Sequence, residues 1–328
     1  MSEGSKLSLR VPVGFDLGQV VCSYGYFLLA PNHWDPDTQS LTRPLWLDVG
    51  ARPAPSNNSR SAKSPQCVWV TLRQPTSQLR ADRIELRCDR RLKAQAQTQA
   101  KAAVRRMLRL DEDLTAWFAN NPAARRDGFG RLFRSPTLFE DMVKTITGCN
   151  VAWPNTMRMN RLLCKHLGQG AFPTPDQLAR MTPSELKTKT KVGYRADRLI
   201  RLARQVARGE LDLSWFESPE RDSNTVFAAL RQIHGIGPYA AANVCQHLGF
   251  YDQLAIDSET YRHFRAHFDV SADTSDRALH PRIAAHYQQY APYQFLAYWV
   301  ELWRDYERKL GPARHWRPET GAAVTGKG

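Results

Sequence analysis

Two different periods of apolar and polar residues run along the chain. In the first hundred positions the apolar residues come in short runs, some strictly alternating. Residues 7–13, 26–30, 45–49, 67–72 and 83–88 are rich in aliphatic and aromatic side chains, with Pro, Asn, Asp and Gly between them. This predicts short strands of an antiparallel sheet, where alternate side chains share a face. The stretch 51–65 is rich in Pro, Ser, Ala and Asn and is expected to be a mobile loop. From about Leu92 the period lengthens to three and four. Val104, Met107 and Leu108 share one helical face, and 139–146, 157–167, 196–206, 226–233, 240–248 and 298–310 repeat the spacing. The Gly, Ala, Pro and Arg-rich end from Gly311 predicts a flexible tail. The expected class is α+β. A small antiparallel β-sheet domain over 1–105 precedes a larger all-α domain over 106–310, and the tail covers 311–328.

The segment 223–249 carries the most specific local signal. Ser223 suits a helix N-cap, and Val226, Phe227, Leu230 and Ile233 form the apolar stripe behind it. Ile233-His-Gly-Ile-Gly-Pro-Tyr-Ala240 follows. Gly235 and Gly237 let the chain reverse tightly, and Pro238 suits the first position of a second helix, which Gly249 ends. Such a hairpin presents unpaired backbone N–H groups at a helix N-terminus. A phosphate satisfies them without any base being read. The same spacing also fits an ordinary helix–turn–helix corner.

Charge sharpens that choice. The net charge of +14 and the sequence pI near 9.7 favour a polyanionic partner, of which nucleic acid is the commonest in a cell. The six cysteines contain no CxxC pair, so neither a zinc ribbon nor a disulfide framework is expected. No apolar run is long enough to cross a bilayer, and the amino terminus has no signal-peptide pattern. The expectation is a monomer in the cytoplasm or nucleoid, or in the nucleus of a eukaryote. His263 and His267, one helical turn apart, could hold a metal, but the sequence shows no third ligand, and surface or phosphate contact is the plainer expectation.

Immediately after the hairpin comes Leu254-Ala-Ile-Asp257-Ser-Glu-Thr. Hairpin and Asp together resemble the helix-hairpin-helix (HhH-GPD) DNA glycosylases. Val192-Gly-Tyr194-Arg195-Ala196 is similar to a Gly-Tyr-Arg-Ala segment of the 8-oxoguanine branch. Residues 139–150 resemble the helix and loop that enter the minor groove in the 8-oxoguanine and 3-methyladenine (alkylpurine) branches. The resemblance covers residues 130–310 well and the strand region weakly, through Phe15-Asp-Leu and 23–27.

The resemblance implies an enzyme of base excision repair, acting on double-stranded DNA that contains a damaged base. Asp257 becomes the catalytic carboxylate, with a low pKa expected at a helix N-terminus. Gly235, Gly237, Tyr239 and Ala240 would grip phosphate. Tyr194 would fill the gap left by the flipped base, and Arg195 and Asn150 would contact the orphaned partner. Trp153, Tyr239, Tyr298 and Trp299 are candidates for an aromatic pocket. The backbone carbonyls of Arg231, Ile233 and Ile236 would hold Na+ or K+, and no other cofactor is implied. No Cys follows Cys245, which leaves no ligands for the iron–sulfur cluster of other branches. Tyr239 stands where strand-cleaving members carry a Schiff-base Lys, so simple hydrolysis is implied. Tyr298 replaces a base-reading Gln, and Tyr24-Gly-Tyr-Phe27 replaces Gly-Gln-Ser-Phe; both turn the expected substrate away from 8-oxoguanine. Two alternatives stay open. One is a glycosylase/lyase using Lys144, which is otherwise expected to be an exposed phosphate contact. The other is a non-catalytic DNA-binding hairpin, to which a carboxylate facing the sugar would be useless.

Overall fold

The alternating runs form a five-stranded antiparallel sheet. Its strands are β1 (Lys6–Arg10), β2 (His33–Asp35), β3 (Ser40–Leu47), β4 (Gln66–Arg73) and β5 (Arg83–Cys88), in the spatial order β1-β5-β4-β3-β2. The computed structural model describes residues 4–49, 65–75, 82–271 and 273–323, so the expected loop at 51–65 lies outside the described residues but for Pro65. Register follows burial. Leu41 faces Leu72 and Leu72 faces Leu86, which puts one continuous apolar row on the covered face. Residues 26–30 are not a strand. Gly25–Leu28 is a 3-10 turn whose Tyr26 and Phe27 are both buried, so its apolar content reflects packing from two sides and not a two-residue period.

The helical spacing is realised with boundaries shifted by a few residues. The helices that build the site are Leu138–Gly148, Trp153–His166, Arg195–Ala207, Ser223–Gln232, Pro238–Leu248, Ser258–His267 and Gln294–Leu310. Asp222, and not Ser223, caps the helix Ser223–Gln232, accepting the Thr225 N–H at 3.0 Å.

Two buried clusters form, and they do not follow a division at residue 105. One joins the sheet to the helix Ala94–Met107 and to the C-terminal helices through Trp316. The other runs from Leu138 to Cys245. The helix Pro238–Leu248 gives Ala242 to the first and Ala241, Val244 and Cys245 to the second. Charged side chains fasten the junction. Arg43 of β3 donates to Glu140 at 2.9 Å, and Arg109 donates to the Gln246 carbonyl at 2.6 Å, near the C-terminal end of Pro238–Leu248 where a cation is favoured.

Of the expected flexible tail, 311–323 are described and include a helix, Pro318–Ala323, whereas 324–328 lie outside the described residues. Trp316 is 1% exposed and packs on Trp303 with ring centroids 5.3 Å apart, and its indole N–H donates to the Gly311 carbonyl at 2.8 Å. Trp34 donates to the Arg314 carbonyl at 2.8 Å. A single tryptophan anchors a segment whose composition otherwise reads as loop.

Candidate active site

A cavity of about 490 Å³ opens where the two clusters meet. Its wall includes Asp257, Tyr239, Tyr298, Trp153, Trp299 and Asn150, which brings together the expected carboxylate, the expected aromatic rings and one expected partner-base contact. They arrive from several elements. Tyr239 sits at the start of the helix after the hairpin, Trp153 at the start of Trp153–His166, and Tyr298 and Trp299 on the C-terminal helix.

Asp257 caps the helix Ser258–His267. Its Oδ1 accepts the N–H groups of Glu259 and Thr260, both at 3.0 Å, and the Thr260 hydroxyl lies 3.1 Å from the same oxygen. Among the described residues these bonds all fall on Oδ1, so Oδ2 faces no protein donor. The Thr260 hydroxyl is also 3.0 Å from that of Tyr298. The low pKa expected for Asp257 is reversed. Burial among aromatic walls raises it, and this outweighs the lowering by the Thr260 and Glu259 hydrogen bonds. The same carboxylate helps to raise the hydroxyl pKa values of Tyr239 and Tyr298, after burial itself, so both phenols are neutral.

The wall holds further residues that were not expected to line a pocket. Tyr24 donates to Asn243 Oδ1 at 3.2 Å, and its ring lies 4.6 Å from that of Trp299. Tyr26 pairs its hydroxyl with Thr145 at 2.9 Å and stacks on His247 at 4.7 Å. Trp299 donates to the Ser23 carbonyl at 2.8 Å and so ties the last helix to this turn. Gly25 is fitted to Trp153, since a Cβ there would come within 3.1 Å of the indole ring. The departure at 24–27 marked this segment, but nothing in its period places it beside Asp257.

Two expectations fail on burial. Lys144 is not an exposed phosphate contact. It is 1% exposed and pairs with Glu140 at 2.7 Å, and burial lowers its pKa. It nevertheless lines the cavity. Arg195 is only 6% exposed. Its guanidinium binds the Cys149 carbonyl and, at 3.3 Å, that of Asn150, so it braces the Asn150 loop from behind where contact with an orphaned base was expected. Asn150 itself is exposed in the left-handed region, with φ of 51°. Tyr194 is 51% exposed, with the guanidinium groups of Arg195 and Arg198 within 4.5 and 5.0 Å of its ring.

The hairpin glycines divide their tasks. Gly235 has φ of 88°, and a Cβ there would stand 2.5 Å from the Arg198 side chain. Gly237 is extended, with φ of −83°, and a Cβ there would meet nothing within 4 Å. Neither strain nor packing among the described residues calls for glycine at 237. The helix after it starts without a side-chain cap, so its first N–H groups stay open.

No protein-family model and no curated protein matches the chain. Solved structures do. The 8-oxoguanine glycosylase/lyase of Clostridium acetobutylicum, in complex with double-stranded DNA carrying cytosine opposite 8-oxoG, superposes with a TM-score of 0.61 at 15% identity, over 93% of this chain and 99% of that one. The 3-methyladenine DNA-glycosylase of Archaeoglobus fulgidus gives a TM-score of 0.64 at 15% identity, over 90% of this chain and 97% of that one. The chain shares its fold with these two DNA glycosylases. Within the glycosylase fold, Asp257 begins the helix that follows the hairpin's second helix, and the aromatic cavity lies between the two buried clusters. The Ile233 carbonyl accepts the Ile236 N–H at 3.0 Å and closes the hairpin turn.

Proposed function

We propose that the protein is a DNA glycosylase that accepts a damaged purine, flipped out of duplex DNA, and hydrolyses its N-glycosidic bond. The observation that carries this reading is Asp257, whose Oδ2 is free of protein donors among the described residues, in an aromatic cavity next to an uncapped helix N-terminus. The open N–H groups after Gly237, with the backbone at Ala240, hold a DNA phosphate, and Tyr194 fills the gap in the stack. The cavity volume lies within the range of about 300–1,000 Å³ usual for small-molecule sites. As the base departs, positive charge grows on the sugar. A carboxylate held in apolar surroundings is poorly solvated beforehand and gains most when that charge appears, so it favours the transition state over the ground state. It also orients the attacking water. The ring-lined wall suits an electron-poor, alkylated purine, whose positive character is drawn to aromatic faces.

The family's monovalent cation fits the hairpin on chemical grounds. The carbonyls of Arg231 and Ile233 lie at the C-terminal end of the helix Ser223–Gln232, where backbone oxygens lack intrahelical partners, and Ile236 follows in the turn. Such an ion would neutralise partial charge where the phosphate approaches.

The test is a panel of duplex oligonucleotides with single lesions, assayed before and after alkali. Abasic strands that break only after alkali support hydrolysis. Release from none of the lesions removes the reading. A second reading, a glycosylase/lyase, is favoured by the position of Lys144 in the cavity wall and its lowered pKa. Its pairing with Glu140 opposes this. Borohydride separates the two: the hydrolytic reading expects no trapped adduct, whereas an adduct lost in Lys144→Met establishes the lyase.

A further inference from the structure

The helix that Asp257 caps packs beside the C-terminal helix, and each presents two possible metal ligands one turn apart. Ser258–His267 carries His263 and His267; Gln294–Leu310 carries Glu301 and Asp305. His263 Nδ1 lies 2.8 Å from Asp305 Oδ2, and His267 Nε2 contacts the same oxygen. Donor atoms of His263, His267 and Asp305 all fall within 4.8 Å of one another, and Glu301 Oε2 stands 3.7 Å from His263 Nε2. The four line a hollow of about 250 Å³, apart from the cavity at Asp257. His263 and Asp305 are 2% and 5% exposed. The other ring nitrogen, His263 Nε2, is buried and has no hydrogen-bond partner among the described residues, and Glu301 is the acidic group that faces it.

We propose that His263 through Nδ1, His267 through Nε2 and Asp305 through Oδ2 bind a divalent transition ion of the zinc class, with the fourth position left to water. Two imidazoles and a carboxylate are the donor set such an ion takes, from two helices that each supply an i, i+4 pair. Donors about 2.0–2.2 Å from a tetrahedral ion stand roughly 3.3 Å apart, so the ion replaces the protons shared with Asp305 by opening the His263 contact about half an ångström and the closer His267 contact further. Arg308 does not block this. It pairs with the other carboxylate oxygen, Oδ1, and its side chain is 67% exposed. The ion would clasp the helix that starts at Asp257 to the helix that carries Tyr298, and so hold the cavity wall in register.

The test uses the full chain stripped of metal and titrated with Co2+, whose visible ligand-field absorption reports inner-sphere imidazole ligation, with Zn2+ as competitor. One equivalent should bind, zinc should bleach the band, and the unfolding temperature should rise. His267→Ala exchanges a solvent-exposed ring, and Asp305→Asn keeps the carboxylate's shape. Each should weaken binding at least tenfold, whereas His166→Ala, on an exposed position elsewhere, should leave it unchanged. Absence of saturable one-to-one uptake would overturn the site. So would affinity that stays within threefold of native in both His267→Ala and Asp305→Asn, which would leave the cluster as a hydrogen-bonded clasp alone. Neither outcome depends on base release, so the result is independent of the glycosylase reading.

Discussion

Two helices of this protein begin with nearly the same four residues, Asp222-Ser-Asn-Thr225 and Asp257-Ser-Glu-Thr260. In both, the carboxylate accepts the Thr N–H at 3.0 Å and pairs with the Thr hydroxyl, at 2.6 Å in the first and 3.1 Å in the second. The outcomes are opposite. Asp222 is exposed, and its hydrogen bonds with Thr225 lower its pKa. Asp257 stands in the aromatic cavity, and burial raises its pKa despite the same cap. The capping phrase sets the geometry of each carboxylate, and the surroundings set its chemistry. Between them lies a third helix start, at Gly237, with no side-chain cap at all. One start is satisfied in water, one is left open, and one is satisfied beside a cavity.

The largest expected effect breaks the pair directly. Asn caps a helix about as well as Asp, so Asp257→Asn removes charge and keeps structure. Single-turnover base release should slow by at least about 100-fold, a barrier increase of about 2.7 kcal/mol, with duplex binding intact. Asp222→Asn should leave the rate within about twofold of native. Equal losses in the two variants would reduce Asp257 to a cap like the other.

The open start gives the next effect. Gly237→Asp supplies the missing carboxylate where the backbone is already extended and nothing lies near the new Cβ. That carboxylate takes the N–H groups and repels phosphate. Loss of hydrogen bonds to a charged group is worth about 1.5–3 kcal/mol, so affinity should fall tenfold or more for damaged and undamaged duplexes alike. The unfolding temperature should hold or rise. A loss confined to lesion-bearing duplex, read by fluorescence anisotropy, would mean that this helix start is not the general anchor. Gly235 is a poorer place for the test, because its positive φ and its fit against Arg198 would destabilise any variant.

A smaller effect isolates a contact made by Thr260 of the Asp257 cap. Tyr298→Phe removes the hydroxyl 3.0 Å from Thr260 Oγ1 but keeps the ring. A typical hydrogen bond is worth about 1 kcal/mol, so base release should slow about three- to tenfold. An unchanged rate would limit Tyr298 to the apolar wall.

Much of the frame was legible in the sequence, because period and caps are local. The strands at 66–73 and 83–88 and the helices around Leu199, Leu230 and Val244 announce themselves by spacing alone. Asp257 was legible only through its resemblance to a motif, since Asp222 shows that the capping phrase does not distinguish it. What escaped depends on long-range packing. Tyr24 and Tyr26 reach the cavity through a 3-10 turn whose aromatic run imitates a strand. Lys144 and Arg195 look like surface cations until Glu140 and the carbonyls at 149 and 150 are brought to them. Asp305, the third member of the histidine cluster, lies 38 residues from His267 in sequence, and no local spacing could connect them.

The smallest effect has opposite signs at the two caps. The folded-state pKa of Asp257 is raised above the unfolded carboxylate value of about 3.9, so its contribution to stability is full below that value and is lost as pH rises through the folded pKa. At neutral pH the ionised side chain therefore opposes folding. Asp257→Asn should unfold about a degree or two above native at pH 7, and the gap should close as pH falls into the carboxylate range. The folded pKa of Asp222 is lowered, so its contribution is present above the unfolded value and is lost as pH falls through the folded one. Asp222→Asn should unfold slightly below native at pH 7, and that gap should close only at lower pH. Base release by the native enzyme should decline as acid protonates Asp257, and it should do so at a higher pH than an exposed aspartate would dictate. Differential scanning calorimetry of the three proteins across this range reads both signs. If Asp257→Asn proves the less stable at neutral pH, the cavity solvates the carboxylate as well as water does, and the two helix starts differ in position alone.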